Sequence, residues 1–173
     1  GSHEEVSELI KDIKSHDFIV DNVKKGTRQR RPYAPYTTST LQQDASRVLG
    51  FTAKRTMRAA QQLYEGVELG AGGQTSLVTY IRTDSVRVSK ASVDSARDYI
   101  KAKHGADYLP DKAPYYKNKK AAQDAHEAIR PSHFDKSPEE VQDYLTRDQF
   151  KLYELIWNRF ISSQMKPARY STL

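Results

Sequence analysis

The chain has 173 residues, of which 37% are hydrophobic and 29% are charged, a composition that supports a folded core and argues against wholesale disorder. It contains no cysteine, which excludes disulfide scaffolds, thiolate metal sites and cysteine nucleophiles. No apolar run approaches the ~20 residues that a membrane-spanning helix needs.

The net charge is +6, and the positive charge is concentrated in one stretch. Between Asn22 and Arg58 there are nine basic residues and a single acid, Asp44, so the local balance of +8 exceeds that of the whole chain. Such asymmetry predicts either a face that binds a polyanion or a solvated basic surface, and charge alone does not choose between them.

The beginning of the chain carries a helical pattern followed by an extended one. Gly1-Ser2-His3 resembles the remnant of an expression tag. Apolar residues at helical spacing predict a helix over Glu4–Ser15, and Asp17–Lys25 reads as a strand. The polar, basic run from Gly26 to Arg31 is predicted to be a turn or an exposed edge.

Helices predominate after residue 40, with short strands between and after them. Ser76–Arg82 is predicted to be a strand, and Pro167–Leu173 reads as the beginning of another. Capping residues, glycine stops and apolar spacing predict helices over Leu41–Leu49, Ala53–Glu65, Ser89–His104 and Ala122–Ile129, and helices that start at Ser137 and at Thr146.

Tyr80 stands out among eleven tyrosines because of its neighbours. If Ser76–Arg82 is extended, Val78, Tyr80 and Arg82 share one face. A tyrosine hydroxyl is a poor nucleophile at its ordinary pKa of ~10, and an adjacent guanidinium would stabilise its phenolate and hold a phosphate. A Tyr-x-Arg on a strand is more often structural, so the pair alone does not establish a catalytic site.

A second candidate site lies in the sequence Ala-His-Glu-Ala-Ile-Arg, which ends at Arg130. On a helix His126 and Arg130 are four residues apart and share a face, which would suit a phosphate, although a solvated surface pair is the commoner use of such spacing. A metal site is disfavoured, because His126 and Glu127 without a second histidine at the right spacing provide too few ligands.

Four segments together resemble consecutive blocks of the type IA DNA topoisomerases, with spacing closest to bacterial topoisomerase I. They are PYAPYTTSTLQQDASRVLGFTAKRTMRAAQQLYEG, LVTYIRTDSVRVS, AHEAIRPS and LYELIWNRFISSQM, and they cover Pro32 to Met165 in the order of the family. The resemblance implies that Tyr80 attacks a backbone phosphate of single-stranded DNA and forms a 5′-phosphotyrosine link. It implies that Arg82 holds the scissile phosphate and that His126 helps to position the DNA. The remaining predicted DNA-binding residues lie in the same motifs: Glu127, Arg130, Thr83, Asp84 and Ser85.

The resemblance also implies a fold and partners. The fold is expected to be α+β and mostly α, with a winged-helix-like domain (domain III, residues 37–165) inserted between strands of a β-arch (domain II, residues 4–36 and 166–173). Family members relax negatively supercoiled DNA without ATP and need an N-terminal toprim domain whose carboxylates hold Mg²⁺. That domain has no counterpart in these residues, so we expect no metal site here, weak binding of single-stranded DNA and no turnover by the chain alone. The expected location is the cytoplasm, at the bacterial nucleoid, away from membranes.

Two other readings compete with this one. The chain could be a non-catalytic winged-helix module that binds single-stranded nucleic acid and uses its tyrosine only to stack on bases. A tyrosine recombinase-like enzyme, which forms the opposite 3′-phosphotyrosine, fits less well because its arginine and histidine pattern is not seen in this sequence.

Overall fold

The computed structural model describes residues 2–118 and 126–173, and these form two compact units. The larger unit is Arg31–Ala168, and the smaller one joins the residues up to Arg30 to Arg169–Leu173. The boundaries predicted from the sequence are 36/37 and 165/166, whereas the two units divide at 30/31 and 168/169. Within the described residues, no helix is long and apolar enough to cross a membrane.

The smaller unit consists of one helix and one two-stranded sheet. Helix α1, His3–Lys14, begins inside the tag-like residues, because Ser2 and Glu5 form a reciprocal capping box. Strand β1, Gly26–Arg30, pairs with strand β4, Ala168–Thr172. The predictions of the first helix and of the last strand are therefore confirmed.

The strand predicted over residues 17–25 is wrong. These residues form no regular structure, and the strand lies instead in the basic run that follows them. Phe18, Ile19 and Val20 are consecutive rather than alternating, and all three are largely exposed. A strand needs a paired neighbour more than it needs apolar residues, and β4 supplies that neighbour only to residues 26–30.

The larger unit has the order of a winged helix followed by further helices. A three-residue turn separates α2 from α3, and an antiparallel hairpin follows in which Val67 pairs with Thr75 and Glu68 with Gln74. The predicted α+β, mostly α class is confirmed. The helices are α2 Thr38–Leu49, α3 Ala53–Glu65, α4 Lys90–His104, α5 Pro138–Val141 and α6 Arg147–Ser163, the hairpin strands are β2 Val67–Glu68 and β3 Gln74–Thr75, and single 3-10 turns lie at Gly70–Gly72, Ala106–Tyr108 and Gln142–Tyr144.

Helix α6 lies at the centre of the core. Leu152, Tyr153, Ile156 and Phe160 on its apolar face are completely buried, and α3 is its main packing partner. The Tyr153 hydroxyl donates to a backbone carbonyl at 2.6 Å, so its polar atom is also satisfied inside the core. The helix predicted from apolar spacing after Thr146 is thus confirmed.

Two further predicted elements near the candidate site take other forms. In residues 76–82 only Val78 forms an isolated bridge, to Pro131, so there is no regular strand. Of the helix predicted over Ala122–Ile129, residues 122–125 lie outside the described residues, and residues 126–129 are not helical. Two of their amides instead donate hydrogen bonds to separate segments. The Ala128 amide donates to the Arg87 carbonyl, and the Ile129 amide donates to the Tyr36 carbonyl.

Candidate functional site

The segment that carries Tyr80 bends at Ile81 and Arg82, and from Tyr80 to Ser85 its side chains alternate between exposed and buried. Tyr80, Arg82 and Asp84 are exposed. Ile81, Thr83 and Ser85, which alternate with them along the chain, are buried. Tyr80 and Arg82 are thus both exposed and two residues apart. Val78 is 1% exposed, so the predicted face shared by Val78, Tyr80 and Arg82 does not form.

Hydroxyl groups of α2 and of the segment itself hold the backbone of this segment in place. Thr38, in the first turn of α2, accepts a hydrogen bond from the Thr83 amide at 2.9 Å and donates to the Ile81 carbonyl at 2.7 Å. Thr83 accepts from the Ser85 amide at 3.0 Å, and Ser85 accepts from the Arg87 amide at 3.1 Å. Thr83 and Ser85, both predicted to bind DNA, are thus used to shape the loop.

On the other side of the segment, residues 128–132 run alongside it. The Thr79 amide donates to the Arg130 carbonyl at 3.0 Å, and the Ser132 amide donates to the Leu77 carbonyl at 2.9 Å. The Thr79 hydroxyl adds a bond to the Ala128 carbonyl at 2.7 Å. These bonds bring the second candidate motif against the first, although the two are more than 45 residues apart in sequence.

The Tyr80 ring contacts two other rings. His126 is tilted against it with ring centroids 5.1 Å apart, and Tyr64, at the end of α3, meets it edge-on at 5.5 Å. Tyr80 remains 38% exposed, so a ligand can reach it. Tyr64 is a site residue that sequence reasoning missed, and nothing in the sequence singles it out among the eleven tyrosines.

Arg130 and Glu127 are engaged with each other. The Arg130 guanidinium contacts the Glu127 carboxylate at 2.7 Å and donates to the Pro131 carbonyl at 2.9 Å, and Arg130 is only 9% exposed. Because residues 126–129 are not helical, His126 and Arg130 do not share a helix face. The ion pair neutralises Arg130 within the fold and braces the turn that presents His126.

The basic stretch seen in the sequence is divided between the two compact units. Its first four cations belong to the smaller unit and the others to the larger one. In the larger unit Arg55 makes two 2.7 Å bonds to Asp148, and Arg47 pairs with Asp44 at 3.0 Å. Two of the cations that lie in the larger unit are therefore paired with acids.

The site residues do not fit a metal ion. In the described part of the chain no group of three or more histidine and carboxylate side chains is close enough to hold one. Near Tyr80, Asp84 is an exposed acid and Glu127 is already paired with Arg130. The site is thus an exposed phenol with an arginine two residues away and an imidazole against its ring.

Comparisons with known proteins agree with the motifs. A family model described as DNA topoisomerase matches residues 1–173. Among solved structures, the chain is similar to full-length topoisomerase I from Thermotoga maritima, with 44% sequence identity and a TM-score of 0.80. The match covers 95% of this chain and 26% of that one, so the chain spans about a quarter of that protein's length.

Proposed function

The chain belongs to the DNA topoisomerase family, and on this premise we propose that it carries the nucleophile of a type IA enzyme, Tyr80. The observation that carries the proposal is the Tyr80 ring itself. It contacts the rings of His126 and Tyr64, it is open to solvent, and the exposed Arg82 lies two residues away in the chain.

In the proposed reaction the Tyr80 hydroxyl oxygen attacks a phosphorus of single-stranded DNA. A bond forms between the tyrosine oxygen and the 5′-phosphate, and the bond from phosphorus to the 3′-oxygen breaks. The phenol proton is lost and the 3′-oxygen gains one, which leaves a 3′-hydroxyl. Resealing is the reverse reaction. One phosphate ester is exchanged for another, so the bond energy is kept and ATP is not needed to restore the strand.

Arg82 and His126 have distinct roles in this proposal. The Arg82 guanidinium would bind the non-bridging oxygens of the scissile phosphate and stabilise the charge that develops as the tyrosine attacks. The exposed His126 imidazole would position the backbone beside the Tyr80 ring. Asp84 would contact a base or a sugar, because a carboxylate and a phosphate repel each other.

The complete activity, relaxation of negatively supercoiled DNA, would need parts of the enzyme beyond these residues. We place the Mg²⁺ ligands in a toprim domain outside this chain, since the described residues offer no carboxylate cluster for that ion. We expect the 173 residues alone to bind single-stranded DNA weakly and not to turn over. The intact enzyme would act in the cytoplasm on nucleoid DNA.

Covalent trapping tests the proposal. A full-length enzyme containing this chain is mixed with a single-stranded oligonucleotide and Mg²⁺, with the DNA labelled at either its 3′ or its 5′ end, and is stopped with denaturant. We expect only the 3′-end label to move onto the protein, and Tyr80→Phe to abolish this. Tyr108→Phe is the matched control, because it removes an exposed tyrosine hydroxyl from a ring that contacts His104 and should leave trapping intact.

Three results would contradict the proposal. Transfer of the 5′-end label would indicate the opposite polarity, as in a tyrosine recombinase. Tight binding without transfer of either label would favour the alternative, a winged-helix module that binds nucleic acid without cutting it. Relaxation of supercoiled DNA by the 173 residues alone would contradict the expected dependence on a separate domain.

A further inference from the structure

The Thr79 hydroxyl takes the place of a backbone carbonyl in the contact between the two site segments. Facing residues in a regular antiparallel pair exchange two bonds between main chains. Here the Thr79 amide donates to the Arg130 carbonyl, but the return bond from the Arg130 amide goes to Thr79 Oγ1, at 3.0 Å. The Thr79 hydroxyl in turn donates a hydrogen bond to the Ala128 carbonyl at 2.7 Å.

One hydroxyl therefore joins two peptide groups of the segment that presents His126. Tyr80 is the next residue after Thr79, and the Ala128 carbonyl lies two residues beyond His126. The two rings that these segments carry lie 5.1 Å apart. The Thr79 bonds are thus a short covalent and hydrogen-bonded path from the Tyr80 backbone to the His126 backbone.

We propose that Thr79 is a positioning residue whose hydroxyl holds His126 against the Tyr80 ring for DNA cleavage. This inference rests on the proposed function of Tyr80. Thr79 lies beside the reacting group and acts through the backbone that carries His126.

The hydroxyl, rather than the shape of the side chain, carries this role. Valine would keep the branched shape but would leave the Arg130 amide and the Ala128 carbonyl without this partner in a partly buried place. The fold has other supports there, because the Ile129 amide still bonds to Tyr36 and Arg130 still pairs with Glu127. We therefore expect a local shift of the His126 segment and not unfolding.

The ring contact can be measured directly in the 173-residue chain. Nuclear Overhauser effects between Tyr80 and His126 ring protons are compared in the wild type, Thr79→Val and Thr79→Ser. The matched control is Thr56→Val, because Thr56 is buried in α3 and its hydroxyl also donates to a backbone carbonyl, that of Thr52, the residue before the helix. We expect the signal to weaken in Thr79→Val and to persist in Thr79→Ser and in the control.

The same variants are then compared in a full-length enzyme, where single-turnover cleavage is measured beside the affinity for single-stranded DNA. Displacing a group by 1 Å can cost two orders of magnitude, so we expect Thr79→Val to cleave about tenfold more slowly or worse. Its Kd should stay within about twofold of the wild type, and Thr79→Ser should recover the rate to within about threefold. A purely structural role would lower the stability of Thr79→Val and of Thr56→Val without this division between rate and affinity.

The inference is overturned if Thr79→Val cleaves at the wild-type rate, if it loses affinity instead of rate, or if Thr56→Val is slowed as much. A wild type that forms no Tyr80-linked complex would contradict the proposed function itself. In that case the ring contact in the 173-residue chain still decides whether the Thr79 hydroxyl holds His126 in place.

Discussion

The helices of the two units form through the same local interactions, but the units differ in how far their apolar side chains are buried. In the larger unit Leu152, Ile156 and Phe160 of α6 are completely removed from solvent. In the smaller unit no residue of α1, β1 or β4 is buried, although all three lie among the described residues. The apolar side chains of α1 remain about half exposed: Val6 52%, Leu9 60%, Ile10 46% and Ile13 47%.

The difference shows what an amphipathic pattern can establish. Helices α1 and α6 both begin with a capping box and both carry apolar residues at helical spacing. The pattern identifies the side of a helix that favours burial, but it does not reveal whether the covering surface lies within the same chain. Because helices gain most of their stability from tertiary packing, the two units should behave very differently in solution.

Amide hydrogen exchange should give the largest contrast between the units. A 12-residue helix without buried contacts is marginal in water, so we expect α1 amides to exchange almost as fast as an unfolded peptide. Amides in the centres of α3 and α6 should open only with the whole larger unit and be protected by about 10³ or more. Strong protection of α1 that grows with protein concentration would mean that its apolar side is covered by a second copy.

A matched pair of isoleucines tests the same contrast energetically. Ile156→Ala in α6 removes a side chain that is 0% exposed, and should lower the free energy of unfolding by about 2–5 kcal/mol. Ile10→Ala in α1 removes the same atoms where the residue is 46% exposed, and should change it by about 0.5 kcal/mol or less. Urea unfolding followed by circular dichroism measures both, and equal losses would contradict the division into a packed and an unpacked unit.

The sequence predicted the elements that depend on neighbouring residues and missed those that depend on distant ones. The caps at Thr52, Ser89 and Thr146 lie within a few residues of the amides they bind, so the pattern alone located their helices. Strand β1 depends on β4, which lies near the other end of the chain, and local apolarity pointed instead to residues 17–25.

The candidate site shows the same limit. Tyr80 and Arg82 could be selected because they are two residues apart in the sequence, and the structure exposes both. Two other contacts depend on how residues 126–130 and α3 pack. They are the ion pair of Arg130 with Glu127 and the ring contact of Tyr64 with Tyr80. No spacing rule contains that information.

Arg159 should have a moderate effect confined to the larger unit. Its guanidinium donates to the Ala34 carbonyl at 2.7 Å and to Asp44 at 2.9 Å, and lies 4.5 Å from the centre of the Tyr36 ring. Arg159→Ala leaves Asp44, itself 18% exposed, with one fewer partner, so we expect a loss near the low end of ~3–5 kcal/mol. Arg159→Lys keeps the charge but cannot reach both acceptors, so its urea midpoint should lie between those of the wild type and Arg159→Ala. A midpoint equal to that of Arg159→Ala would show that the charge of residue 159 contributes nothing to stability.

A smaller effect than that of Arg159 is expected on the pH dependence of stability, through Asp44. Burial alone would raise the pKa of Asp44, but hydrogen bonds from Tyr36 and Arg47 and the charge of Arg159 outweigh it and hold the pKa below its usual range. Burial raises the pKa of Tyr36, so its hydroxyl keeps the hydrogen that it donates to Asp44 at 2.8 Å.

The sign of the effect follows from that direction. Because the carboxyl binds its proton less readily in the folded chain, its contribution is complete above the unfolded value of about 4 and is lost as the pH falls through the lower, folded pKa. Asp44→Asn should therefore cost about 1 kcal/mol at pH 7, and the cost should shrink toward pH 2. Asp12→Asn, at an exposed carboxylate of α1, is the control and should leave the pH profile of the larger unit unchanged. A constant difference between wild type and Asp44→Asn from pH 7 to pH 2 would mean that the charge of Asp44 does not stabilise the larger unit, and that the loss comes from altered hydrogen bonds to Tyr36 and Arg159.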